Sequence, residues 1–172
     1  MLSKTRRGAT GIKVGMQRGA NIVEFALVAP LLFFLLFTII ELGILFWVNL
    51  TMQYAVREGA RYSVTGQSNL DPASANQQRY LAVIQMVKNS SMGMYAKVNP
   101  TISVNGASMA PSAYSNTMFG APGDIVVLRL NCCWPVVTPA WRLMNISSPS
   151  SQTCSSGQYA FSVAATMRNE AY

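Results

Sequence analysis

The sequence predicts an α+β protein: a long N-terminal transmembrane α-helix that continues into a small domain with one further helix and a mostly antiparallel β-sheet. Three observations carry this. Residues 25–40 contain no charged side chain. Residues 49–64 become mixed in polarity while staying helix-compatible. Beyond residue 100 the apolar positions alternate with a period of two, the spacing that places side chains on opposite faces of a strand. The expected organisation is a basic cytoplasmic leader over 1–19, a long helix over 20–66 with its transmembrane part at about 25–48, and an extracytoplasmic α+β domain over 67–172.

The leader comes first. Residues 1–19 hold Lys4, Arg6, Arg7, Lys13 and Arg18 with no acid, and they also hold Gly8, Gly11, Gly15 and Gly19. Little apolar periodicity runs through them, so they read as a segment that builds no core. The chain carries 13 basic and 6 acidic residues, a formal charge of +7. Five of those bases precede residue 20, so the rest balances at +2. The basicity therefore speaks to topology, because Lys and Arg beside a first span tend to stay cytoplasmic. It says little about nucleic acid: Arg79, Lys88, Lys97, Arg129, Arg142 and Arg168 are scattered, and no nucleic-acid partner is expected.

The span follows. With Glu41 tolerated, the apolar stretch from Phe25 reaches Val48. As a helix those residues extend about 36 Å, enough to cross a hydrocarbon core of about 30 Å. A buried soluble helix fits poorly, because the run is apolar on every face. A cleaved secretory signal also fits poorly, because Glu41-Leu42-Gly43-Ile44-Leu45-Phe46-Trp47 offers no small-residue cleavage site. A signal anchor with its N-terminus inside and Trp47 and Tyr54 near the outer interface is expected. Pro30 lacks an N–H, leaves the carbonyl of Ala26 without its helical partner and is a candidate kink. Glu24 and Glu41 are acids at costly positions. Glu41 has three ways to be tolerated: protonation, snorkelling outward, or intramembrane pairing with a neighbouring chain.

The helix is expected to continue past the membrane through NLTMQYAVREGARYSV as an amphipathic half, with Leu50, Tyr54 and Val56 among polar residues and Gly66 as its stop. Asp71-Pro72 reads as a cap and first-turn proline for a second helix ending near Lys88, with Tyr80, Ile84 and Val87 on one face. Thr101–Val104 reads as a strand, Asn105-Gly106 as a hairpin turn, and 107–123 as a loop. Asp124–Asn131 is a strand, 145–157 a Ser-rich exposed loop, and Tyr159, Phe161, Val163 and Ala165 alternate along a last strand.

The cysteines are Cys132, Cys133 and Cys154. Outside the cytoplasm a disulfide is permitted, and a bridge from Cys154 to either Cys132 or Cys133 closes a loop of about twenty residues. Neighbours on a strand face opposite ways, which leaves one thiol over. The chain has no histidine, so no Ser-His or Cys-His pair exists and no zinc pattern is matched. Its six acids form no pair spaced for acid–base work, and no phosphate loop or dinucleotide fingerprint occurs. The expectation is a protein that is not an enzyme and takes no cofactor or metal. The triplets starting at Asn49, Asn89 and Asn145 match a glycosylation pattern that is common by chance.

GANIVEF, a proline shortly after, a long apolar run and AVREGARYSV, spanning about residues 19–65, resemble the TadE-like proteins of the bacterial Tad (Flp) type IV pilus system. PGDIVVLRLNCCWPVVTP and the closing TMRNEAY also look like the family's less regular C-terminal part. The resemblance implies a pilin-like fold and cleavage by a prepilin peptidase after a glycine, with a glutamate at the fifth mature position. On this chain the cut falls between Gly19 and Ala20, and Glu24 is that glutamate. Type IV prepilins more widely share this spacing, so it identifies processing better than subtype. Gly59-Ala60-Arg61 and the length of 172 residues point to a minor pseudopilin over the shorter major pilin. Cleavage would free an α-amino group on Ala20, one helical turn from Glu24, which a neighbouring subunit's carboxylate could meet.

The implied function is pilus assembly, adherence or secretion. The implied partners are prepilin peptidase, other pilins and pseudopilins, inner-membrane pilus assembly proteins and the lipid bilayer. The implied location is a single pass of the bacterial inner membrane, N-terminus cytoplasmic and C-terminal domain periplasmic or extracellular, with incorporation into a pilus as a further step. The competing reading is an uncleaved, single-pass membrane-anchored adhesin or binding module.

Overall fold

The computed structural model describes residues 17–73, 77–138 and 154–171. Lys4, Arg6, Arg7 and Lys13 of the expected leader lie outside them, as does the Ser-rich segment as far as residue 153. Contacts divide the chain into two units, Met1–Phe37 and Thr38–Tyr172.

The first unit contains the opening part of helix α1 (Gln17–Val64), which continues through Pro30. From Phe25 to Phe37 its large side chains are leucine, valine and phenylalanine, and all are exposed. Apart from Pro30 the run is rich in leucine, which loses little rotamer freedom in a helix.

The second unit is α+β, the class that the sequence predicts. It opens with the rest of α1, whose inward stripe is Glu41, Val48, Met52, Ala55, Val56, Gly59, Ala60 and Ser63. These positions recur at three- and four-residue intervals, one face of a helix. Only Val56 of the three expected apolar contacts lies on that stripe; Leu50 and Tyr54 are exposed. The inward face carries small and medium-sized side chains, while Phe46, Trp47, Leu50 and Tyr54 are exposed. α1 ends at Val64, and Gly66 (φ +65°) supplies the left-handed turn expected of a stop.

Helix α2 (Arg79–Ser90) buries Ala82, Val83, Ile84 and Val87. It starts at Arg79 and not beside Asp71-Pro72. Asp71 does accept backbone N–H bonds, from Ala73 (2.9 Å) and Gln78 (2.6 Å), but it does so in the loop before the helix. A short helix α3 (Met94–Val98) follows.

The sheet has the order β2-β1-β3-β4 and is antiparallel throughout. Its strands are β1 (Thr101–Val104), β2 (Ala107–Ser108), β3 (Ile125–Pro135) and β4 (Gln158–Arg168). Asn105 (φ +51°) and Gly106 (φ +86°) form the tight β1–β2 turn. The Asn105 side chain also accepts the Val127 N–H at 2.8 Å, which ties that turn to β3. The β3–β4 pairing runs from Ile125↔Arg168 to Pro135↔Gln158. Val126, Leu128, Leu130 and Cys132 face inward from β3, and Phe161, Val163 and Met167 from β4. With Phe119 and the α1 and α2 stripes they form one core. The expected alternation of the last strand is present, with Phe161 and Val163 buried and Tyr159 and Ala165 half-buried against the core.

Candidate functional site

The expected processing junction lies at the start of α1. Gly19 is exposed, and a Cβ added there would meet nothing within 4 Å. Gly19 and Ala20 lie in α1, close to the first described residue, Gln17. Glycine weakens a helix locally. Glu24 stands one turn on and is exposed on α1. Gly19, Ala20, Glu24 and Pro30 thus share one helix, in one unit.

Glu41 has a different environment. Its side chain is only 8 % exposed. Its carboxylate accepts the backbone N–H of Val137, the backbone N–H of Thr138 (3.0 Å to Oε2) and the Thr138 hydroxyl. Two consecutive backbone N–H groups pointing at one carboxylate make a small anion cradle. Such charge-assisted bonds replace the hydration that burial removes. These donors belong to Glu41's own chain, from the segment that leaves β3.

The cysteines separate by strand parity. Cys133 is bonded to Cys154, with their Cα atoms 5.8 Å apart, and the bridge spans 21 positions. Cys132 is a free thiol, fully buried in the core. Burial pushes it from 9.0 up to about 12, so it stays protonated and unreactive at neutral pH.

Sequence reasoning missed a buried polar node at the end of α1. The Arg79 guanidinium donates to the Ser63 carbonyl (2.7 Å), the Gly120 carbonyl (3.0 Å) and Asn169 Oδ1 (3.2 Å). The Asn169 amide donates in turn to the carbonyls of Phe119 (2.7 Å) and Ala121 (3.0 Å). Ser63 lies in the last turn of α1, where carbonyls have no helical donor. A cation near a helix C-terminus is also favoured by the dipole. The Glu170 N–H takes the neighbouring Val64 carbonyl at 3.2 Å. Arg79 and Asn169 therefore cap α1 and join it to α2, the loop before β3 and the segment after β4. The one available signal was compositional: an arginine and an asparagine flanking regular elements are frequent caps.

The family model described as TadE-like protein matches residues 19–61. Over this stretch the chain is similar to the TadE-like proteins. The stretch begins at Gly19, takes in Glu24, Pro30 and Glu41, and closes on Gly59-Ala60-Arg61. The sheet, all three cysteines and the Arg79–Asn169 node lie beyond it. No curated protein and no solved structure matches the chain. The similarity is confined to residues 19–61 and supports a Tad pilus-related function, since the TadE-like family is one of pilus components. The chain's apolar helix is long enough to cross a membrane, which suits single-pass anchoring. Among the described residues no three His, Cys, Asp or Glu side chains gather as metal ligands.

Gly59 gives the end of the TadE-like segment a packing reason. A Cβ at this position would overlap Cγ2 of Val87, so the glycine is where α2 crosses close to α1.

Proposed function

We propose that the chain is a minor pseudopilin of a Tad/Flp-type pilus, cut by a prepilin peptidase between Gly19 and Ala20 and acting in pilus assembly, adherence or secretion. The observation that carries this reading is the TadE-like match, which begins at Gly19 and includes Glu24. The mature chain starts at Ala20, and the first helical turn brings its α-amino group near the level of Glu24. A carboxylate among apolar helices is tolerated when a cation pairs with it. In the proposed assembly, Glu24 of one subunit pairs with the α-amine of the next and sets their axial register. The protein sits in the bacterial inner membrane with residues 1–19 cytoplasmic and the sheet domain outside. Its partners are the peptidase, other pilins and pseudopilins, and the inner-membrane assembly proteins.

N-terminal sequencing of the membrane-associated protein, from cells with and without the peptidase, tests the reading. The expected result is Ala20 with the enzyme and the full leader without it. A chain starting at Met1 in both strains rejects processing and favours the anchored binding module. Glu24→Ala is expected to leave insertion intact and to abolish incorporation into the assembly. Normal incorporation of that variant would reject the pairing.

A further inference from the structure

The end of β3 and the residues that leave it read Trp134-Pro135-Val136-Val137-Thr138 and carry no charge. The tip of this segment is held against α1, because Glu41 accepts the N–H groups of Val137 and Thr138 and the Thr138 hydroxyl. These bonds fix the tip at the height of Glu41 along the helix. The Val137 side chain itself is 91 % exposed, more than any other large apolar side chain among the described residues. Pro135 beside it is exposed as well.

We propose that Pro135–Val137 is a second membrane contact, an apolar foot that enters the outer interface of the phospholipid bilayer beside α1. The inference rests on the reading that α1 spans the bilayer. A span of about 20 residues counted from Phe25 ends near Ile44, one turn beyond Glu41. A tip pinned at Glu41 is then at or just inside the boundary of the hydrocarbon. Moving the end of the span to Val48 places the tip deeper, not outside. The same bonds explain why an acid is tolerated at that depth: the carboxylate is turned toward the backbone donors of the foot and away from lipid. A bilayer suits the foot better than a protein partner. A stable protein interface needs about 800 Å² on each side, which one valine and one proline do not provide. A bilayer already present around α1 needs no such area.

The test uses the full chain in phosphatidylcholine nanodiscs, with its native disulfide intact. Val137→Cys, Phe33→Cys and Thr65→Cys are each labelled with an environment-sensitive fluorophore. Phe33 reports the span, and Thr65 the far end of α1. The expected result is blue-shifted emission at 33 and 137. Both should be quenched by spin-labelled lipid and shielded from iodide, while 65 behaves oppositely. Lipid quenching at 33 with a 137 signal like that of 65 overturns the foot and leaves the span standing. Absence of lipid quenching at 33 overturns the span, and the foot with it.

Discussion

Gly59 on α1 leaves the space that Val87 on α2 occupies: a Cβ at residue 59 would overlap Val87 Cγ2 and lie 3.6 Å from the Val83 carbonyl oxygen. Val87 is itself buried, at 2 % exposure, so it has little room to yield. In a helix interior, glycine to alanine gains about 1 kcal/mol of propensity. Overpacking a tight contact costs about 1–3 kcal/mol. Gly59→Ala should therefore destabilise the full chain by about 1 kcal/mol, and Gly59→Val by more. Val87→Ala alone opens a cavity and should cost about 2 kcal/mol. Combined with Gly59→Ala it should cost clearly less than the sum, since the second change removes the clash of the first. Thermal unfolding followed by far-ultraviolet circular dichroism in micelles measures all four variants. Additive losses would mean that the crossing is not limited by this contact.

Arg79 and Asn169 form a node in which each partner satisfies the other. Asn169→Ala removes one acceptor from a buried guanidinium and two donors from buried carbonyls. The expected loss is about 2–4 kcal/mol, because the orphaned groups carry their desolvation penalty. Asn169→Asp keeps an acceptor for Arg79 and still loses both amide donors, so it should fall between alanine and the native chain. Amide hydrogen exchange gives a second readout: protection should drop first at the end of α1, whose Ser63 and Val64 carbonyls depend on this node and on Glu170.

Parts of the molecule legible in sequence are those whose physics is local. The uncharged run after Phe25, the Asn105-Gly106 turn and the alternation at Val126, Leu128 and Leu130 need no distant partner to be understood. The partner of Cys154 stayed open between Cys132 and Cys133 in the sequence; in the structure Cys132 continues the inward parity of Leu130 and Cys133 is bonded to Cys154. The inward face of α1 was not legible, because Leu50 and Tyr54 are more hydrophobic than the Ala55 and Ala60 that pack in their place. There, closeness of approach outweighs hydrophobicity, and closeness is a property of two elements. Glu41 was legible as an anomaly only. Its donors lie at Val137 and Thr138, on a segment with no motif and joined to it only by the fold.

The Cys133–Cys154 bridge closes a loop spanning 21 positions. In the chain-entropy account its removal costs roughly 3 kcal/mol, through a less constrained unfolded state. A Cys133→Ser, Cys154→Ser chain should unfold at a correspondingly lower denaturant midpoint. Peptide mapping without reduction should recover the 133–154 pair and a free Cys132. Recovery of a 132–154 pair would contradict the strand parity.

The Glu41 cradle predicts a local effect. Glu41→Ala leaves the Val137 and Thr138 N–H groups without their acceptor and should release the segment after β3 from α1. A cost of about 1–3 kcal/mol is expected, with faster limited proteolysis between Trp134 and Thr138. Glu41→Gln keeps an acceptor oxygen and should retain part of the protection. Equal proteolysis of both variants and the native chain would mean that the bonds do not hold the segment.

Cys132 also sets how stability responds to alkali. Burial holds its thiol well above its ordinary value of 9.0, at about 12, while the unfolded chain titrates near the ordinary value. Between those two values the unfolded state has lost a proton that the folded state keeps. Stability must then fall as pH rises through that window, by at most about 1.4 kcal/mol per pH unit for one group. Well below pH 9.0 this group contributes no slope. Burial raises Tyr95 from 10.0 to about 12 in the same direction, adding to the loss over the upper part of the window. Denaturant unfolding of the full chain at a series of alkaline pH values should show this decline. Cys132→Ala should flatten its first part, and Tyr95→Phe its upper part. Both substitutions lower the stability at neutral pH, so the slope is the readout and not the midpoint. An unchanged slope in Cys132→Ala would mean that the thiol reaches water in the folded state.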